Sequence, residues 1–209
     1  MQEFHAEKAQ LIMTLRGMGM LDPAVLSALE AVPRELFVPT ALRQHAYENA
    51  SLPIALEQTI SQPYVVARMT EALQLTGRER VLEIGCGSGY QAAILTFLCR
   101  RVYSMERLKP LLVDAENRLR DLRISNISLR HGDGAKGWPE AAPFDRIILT
   151  CGSLKIPDIL LQQLKIGGIM VAPEGADGAQ QLVVITRREA GFDRNILMPI
   201  TFVPLIEGC

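Results

Sequence analysis

Val81-Leu-Glu-Ile-Gly-Cys-Gly-Ser-Gly-Tyr90 decides how the 209-residue chain is read. A short apolar run carries one acid, Glu83, and then passes into glycines at alternate positions, Gly85, Gly87 and Gly89. The pattern predicts a buried strand over 81–84, a tight turn and a helix over 90–99. Glycine is needed where the backbone takes φ > 0 or comes so near a ligand that a Cβ would collide. Gly85, Cys86, Gly87 and Gly89, with Glu83 in front of them, are therefore candidate binding residues. A dinucleotide loop would read Gly-x-Gly-x-x-Gly, with a diphosphate on the helix N-terminus. Here the spacing is Glu83-x-Gly85-x-Gly87-x-Gly89, and an acid in front repels a diphosphate but suits a cation. The loop thus argues against a nicotinamide-dependent oxidoreductase.

Working outward, strands are expected over 101–105, 127–131, 145–150 and 169–173, with helices over 108–122 and 157–164. Such alternation implies a parallel sheet covered on both faces. Two further strands, 181–187 and 195–203, should be antiparallel, because the Ala190-Gly191 turn leaves no room for a crossover helix. Upstream, residues 6–20 read as a helix ended by Gly17 and Gly19. Asp22-Pro23 opens another, with the carboxylate as N-cap and proline in the first turn, and Pro33 stops it. Residues 33–60 are punctuated by prolines and read as mostly irregular, a length that suggests a lid or binding surface. Ser61 with Pro63 restarts a helix that Gly77 closes. With no repeat and no linker, 1–209 is expected to be one domain: 1–60 a helical and lid-forming extension, 61–209 the core.

Bulk properties narrow the partners. Lys and Arg number 22 against 23 acids, a net charge of −1, so no long-range field draws nucleic acid and none is expected as partner. Cys86, Cys99, Cys151 and Cys209 show no Cys-x-x-Cys pairing, so neither a metal site nor a disulfide framework is expected. They read as reduced thiols of a cytoplasmic protein. The N-terminus lacks a basic region followed by an apolar stretch, and no apolar run approaches the ~18 residues of a membrane span.

The acid-preceded glycine loop resembles the cofactor loop of S-adenosylmethionine-dependent methyltransferases with a Rossmann-like sheet. In such a sheet the ligand lies beyond the carboxyl ends of the strands. Glu106 ends the second strand about 20 residues past the first glycines, where a carboxylate can receive both hydroxyls of a ribose. A helix cap is its simpler role. Gly132-Asp133-Gly134 ends the third strand, where the Asp133 carboxylate or a backbone group at Gly134 could meet the exocyclic amine of adenine. Taken alone, that triplet is an ordinary turn.

Other stretches are similar to one branch of that superfamily, the protein-L-isoaspartate (D-aspartate) O-methyltransferases. They are Val32-Pro-Arg-Glu-Leu-Phe-Val-Pro39, Ala46-Tyr-Glu48, Gln58-Thr-Ile-Ser61 with Gln62-Pro63, Gly132-Asp-Gly134 with Gly137-Trp138, Ile156-Pro157, Gln163-Leu-Lys165 with Gly167-Gly168, and Phe202-Val-Pro-Leu205. The resemblance runs in order from about Asp22 to Leu205. It implies a class I methyltransferase fold, with a seven-stranded mostly parallel sheet and helices on both faces. The cofactor it implies is S-adenosylmethionine, and the reaction is methylation of the α-carboxylate of L-isoaspartyl and D-aspartyl residues in damaged proteins or peptides, which begins their repair.

It also implies Ser61 as the candidate catalytic residue, Thr59 and Ile60 as part of a water-excluding lid, and Phe202 and Val203 as backbone that grips the peptide. Ser61 by itself could equally be a helix cap, and Phe202 to Leu205 simply the end of a core strand. Two stretches depart from the family pattern. Ile54-Ala-Leu-Glu57 stands where glycines are usual, which should stiffen the turn and deny it φ > 0 at low cost. Thr150-Cys-Gly-Ser-Leu154 replaces small residues and a proline. A member devoted to aspartate in one dedicated peptide, or a cofactor-binding module without turnover, are the alternatives these departures leave open.

Overall fold

A computed structural model describes residues 4–208; Cys209 lies outside them. In chain order, helices His5–Gly17 (α1) and Pro23–Ala31 (α2) precede a small hairpin, Leu52–Pro53 (β1) and Thr59–Ile60 (β2), and the helix Pro63–Ala72 (α3). A seven-stranded sheet follows, made of Arg80–Ile84 (β3), Arg101–Glu106 (β4), Ile127–His131 (β5), Phe144–Leu149 (β6), Leu164–Glu174 (β7), Gln180–Arg188 (β8) and Gly191–Ile200 (β9). Helices Tyr90–Leu98 (α4), Lys109–Asp121 (α5) and Asp158–Gln162 (α6) lie between strands.

The strand order is β5-β4-β3-β6-β7-β8-β9. Pairings from β5 to β7 are parallel, whereas β8 is antiparallel to both neighbours, as the short Ala190-Gly191 turn demands. The order reverses between β3 and β6. That switch point is where an open α/β sheet leaves a crevice beyond its strand ends.

Strand periodicity builds two cores at once. Leu82, Ile147 and Met170 point to one face and meet Leu160 of α6. Their neighbours Val81, Ile148 and Val171 point to the other and meet Val65 and Met69 of α3 and Leu95 of α4. Successive residues of a strand alternate faces, so strands buried on both sides read as continuous apolar runs. A third cluster joins α1 and α2 to the outer side of α4 through Leu15, Leu29, Tyr90 and Ile94. Asp22 caps α2 as its sequence implies, accepting from the Ala24 and Val25 amides at 2.9 and 3.1 Å.

Three expectations need adjustment. Strand β7 is longer than 169–173, because it begins at Leu164 and runs through Gly167 and Gly168. Strand β9 starts at Gly191 and ends before Phe202. Residues 33–60 are ordered, with 3-10 turns at Arg34–Leu36 and Thr40–His45 ahead of the β1–β2 hairpin. Two-residue strands and 3-10 segments of three and six residues are too short to show periodicity, which is why they were invisible in the chain.

The hairpin turn also differs from expectation. Leu56 and Glu57 adopt φ of 58° and 57°, with the Ile54 amide bonded to the Gln58 carbonyl at 2.8 Å. Two consecutive left-handed residues are the signature of a type I′ turn, which favours Asn-Gly. Side chains do not forbid the conformation here; they make it cost on the order of 1–2 kcal/mol per residue. Both residues are exposed, so little packing offsets the strain. The double substitution Leu56→Asn with Glu57→Gly should stabilise the protein by about 1 kcal/mol in urea unfolding. An unchanged midpoint would show that the turn carries no strain.

Candidate active site

A cleft opens over the carboxyl ends of β3, β4 and β6, and the glycine loop forms its floor. The loop is held from two sides. The Gly85 and Cys86 amides both donate to the Met105 carbonyl, at 2.9 and 3.0 Å. From the other side the Thr150 hydroxyl donates to the Ile84 and Gly85 carbonyls. Gly85 has φ of +98°, and a Cβ there would stand 2.5 Å from Thr150 Oγ1, so no other residue fits. Gly85, Cys86, Gly87 and Ser88 line the cleft. Gly89 does not, contrary to expectation. With φ of +89° it starts α4, and a Cβ would lie 3.2 Å from that of Ala115 in α5, so its role is close helix packing.

Glu106 lies in the cleft wall, nearly buried, with Oε2 accepting from the Gly87 amide at 2.8 Å and Oε1 from the Leu108 amide at 2.9 Å. Each carboxylate oxygen can accept twice. The group thus braces the chain entering α5 and retains acceptor capacity for a pair of hydroxyls.

Glu83 lies elsewhere than its sequence position suggested. Its side chain is wholly buried beneath the loop, outside the cleft lining, with Oε2 accepting from the Ser104 hydroxyl and Oε1 without a partner. The register of β3 on β4 sets Glu83 beside Ser104 and turns it into the sheet. Burial pushes its pKa up to about 8; the Ser104 bond opposes the rise and the Glu106 charge adds to it.

Asp133 is likewise turned away. Its carboxylate accepts from the Ala135 and Gly208 amides, each at 2.9 Å, while Gly132 and Gly134 present backbone to the cleft. An Asx-type turn absorbs the acid, leaving the backbone to face a ligand.

Across the cleft, Gln58, Thr59, Ile60 and Ser61 form a lip. Ser61 is not a helix cap: Gln62 occupies the N-cap position of α3, and no side chain caps it. Ser61 instead stands free in the lining, one residue earlier. Glu57 is outside the lining and exposed, so its charge does not point into the lip. At the far end, Val203 to Ile206 line the cleft, but Phe202 packs into the core on the α3 and α4 side. Its amide and carbonyl are both bound by the Gln180 side chain, at 2.7 and 3.1 Å, which fixes Phe202 inward and Val203 outward. Thr150 and Cys151 complete the lining after β6. The strand-end rule that located Glu106 would have found them too.

The residues suit a cationic nucleoside ligand. A half-free carboxylate sits at the end of β4, and glycine backbone lies open above the sheet. The Rossmann-like sheet and this cleft define a class I S-adenosylmethionine-dependent methyltransferase. A model of the protein-L-isoaspartate (D-aspartate) O-methyltransferase family matches residues 6–209. The protein-L-isoaspartate O-methyltransferase of Parvibaculum lavamentivorans is 55% identical over 211 residues, covering 100% of this chain and 95% of its own. That of Paramagnetospirillum magneticum is 54% identical over 201 residues, covering 95% of this chain and 94% of its own. A solved protein-L-isoaspartate O-methyltransferase superposes with a TM-score of 0.84 at 28% identity, over 94% of this chain and 65% of that one. A Plasmodium falciparum structure in complex with S-adenosyl-L-homocysteine shares the fold, with a TM-score of 0.81 at 23% identity over 94% of this chain and 97% of that one. The chain belongs to the protein-L-isoaspartate (D-aspartate) O-methyltransferase family.

Glu83 gives the ligand-free protein a pH dependence of known sign. Its folded pKa of about 8 lies above the ordinary 4.5, so the folded state holds the extra proton. The resulting stability is fully present below the ordinary value and is lost as pH rises through the folded one. Urea unfolding of the wild type and Glu83→Gln should therefore diverge between about pH 4.5 and pH 8, the variant gaining at the alkaline end. Parallel curves would mean that Glu83 is ionised in the folded protein.

Proposed function

We propose that the chain transfers the methyl group of S-adenosylmethionine to the free α-carboxylate of L-isoaspartyl and D-aspartyl residues in damaged proteins, and so initiates their repair. One observation carries the reading: the glycine loop with Glu106 and the Gln58–Ser61 lip face each other across a single cleft. Bound S-adenosylmethionine supplies an electrophilic methyl group on a sulfonium. Gly85, Cys86, Gly87 and the backbone of Gly134 would hold it by close approach, and Glu106 by its remaining lone pairs.

On the acceptor side the chemistry asks for little. An α-carboxyl titrates near pH ~3.5, so the acceptor is ionised at neutral pH and no general base is needed. The task is to align one carboxylate oxygen and keep water away. Ser61 provides a hydroxyl donor at the lip, and Thr59 adds a second polar side chain beside it. Ile60, buried from the hairpin side, and Val66 and Met69 of α3 give the lip a dry backing. Val203 and the extended chain after it offer backbone to the peptide. Phe202 contributes only by packing.

A cytoplasmic site of action accords with the free thiols of Cys86, Cys99 and Cys151. Among the described residues, no helix is long and apolar enough to cross a membrane. Labelled methyl from S-adenosylmethionine should appear as a base-labile ester on an isoaspartyl peptide and not on its aspartyl twin. Ser61→Ala should lower kcat/KM for that peptide about 10-fold or more with cofactor affinity nearly intact. Glu106→Ala should do the reverse, weakening S-adenosylhomocysteine binding by ~1–3 kcal/mol. Label on both peptides, or equal losses in both variants, would overturn the assignment.

A further inference from the structure

Arg34, in the 3-10 turn behind the lip, is entirely excluded from solvent. A buried guanidinium is ordinarily matched by a carboxylate. Among the described residues none pairs with Arg34, and the adjacent Glu35 accepts from Tyr47 instead. Nη2 donates to the Ser61 carbonyl at 2.9 Å and to the Ala50 carbonyl at 3.4 Å. These two carbonyls flank the β1–β2 hairpin, so one nitrogen ties its feet together. The guanidinium carbon stands 4.7 Å from the centroid of the Tyr90 ring, and Tyr90 lines the cleft. Nε and Nη1 have no partner at all. Arginine does not shed its proton in such a site, so the lip is backed by a positive charge with no carboxylate in contact; the adjacent acid, Glu35, is held on Tyr47.

We propose that Arg34 is a charge-selecting residue for the methyl acceptor: bound to the Ser61 carbonyl from behind, it favours an anion at the lip over a neutral group. The proposal rests on the reading of Ser61 as the acceptor's holder. Its consequence is directional. Methylation turns the acceptor from a carboxylate into a neutral ester, so a field that draws the substrate in has no hold on the product. A charge buried in protein is screened little by salt, so the preference persists at high ionic strength. The same field stabilises the full carboxylate more than a transition state in which that charge is fading, so its loss raises KM and does not lower kcat.

The test compares an isoaspartyl peptide with its uncharged isoasparaginyl twin. Binding of both is measured to the S-adenosylhomocysteine-loaded wild type, Arg34→Gln and Arg34→Lys, with S-adenosylhomocysteine affinity reporting an intact fold. Arg34→Gln should weaken the isoaspartyl peptide about tenfold, leave the neutral twin within about twofold, and raise KM without lowering kcat. Arg34→Lys should restore most of the preference. Equal weakening of both peptides, or a fall in kcat at unchanged KM, would overturn the proposal and leave Arg34 as packing alone. Should neither variant fold, the wild type decides: its preference for the charged peptide must survive 1 M salt, at which exposed charges are screened within about 3 Å, and loss of the preference there overturns the proposal. Ser61→Ala is measured alongside, and unchanged binding of the isoaspartyl peptide in that variant would remove the reading of Ser61, whatever Arg34 shows.

Discussion

The hydrogen bond from the Gly87 amide to the Glu106 carboxylate, 2.8 Å long, is the contact on which the cleft depends. It joins the turn after β3 to the end of β4, and the same carboxylate receives the Leu108 amide and so sets where α5 begins. The bond exists because β3 and β4 pair in one register, with Glu83 beside Ser104 and Ile84 beside Met105. A slip of one residue would turn Glu106 to the opposite face and part Glu83 from Ser104. Register in a doubly buried sheet is enforced by the two cores, so the binding loop is shaped by packing well outside it.

Charge divides the cleft into two unlike halves. Glu106 lies beside the glycine loop, whereas Arg34 lies behind the opposing lip. A cationic methyl donor and an anionic acceptor are each served by the half that opposes their sign. Two buried groups are imperfectly satisfied, with one oxygen of Glu83 and two nitrogens of Arg34 unpaired. An orphaned buried polar group is costly in a structural core. Of the four such atoms among the described residues, three belong to these two groups and the fourth is Arg68 Nε on α3.

Much of this was legible in the chain. The two-faced apolar runs identified the parallel strands, and the short Ala190-Gly191 turn identified the antiparallel end. Strand-end position pointed to Glu106, and the family resemblance to Thr59–Ser61, and both line the cleft. What escaped was direction. Glu83, Asp133 and Phe202 are at strand ends as expected, but register, an Asx turn and the Gln180 clamp point their side chains away from the cleft. These are long-range facts without a local signature. Arg34 escaped for another reason: an arginine between prolines reads as surface, because arginine is almost never fully buried.

The lip shows how a weak element can hold a demanding geometry. The β1–β2 hairpin has two pairs of residues in register and a turn with two strained φ angles, so alone it would be marginal at best. Its order is imposed from outside. Ile60 is buried in the cluster that joins α2 to α4, and the Arg34 nitrogen spans from Ala50 to Ser61 across its base. A segment ordered by tertiary contacts at its feet and strained at its tip is most free to open at the tip, because local opening is easiest where few buried contacts are lost. The hairpin is therefore held at its foot, where Ser61 stands, and strained at its tip.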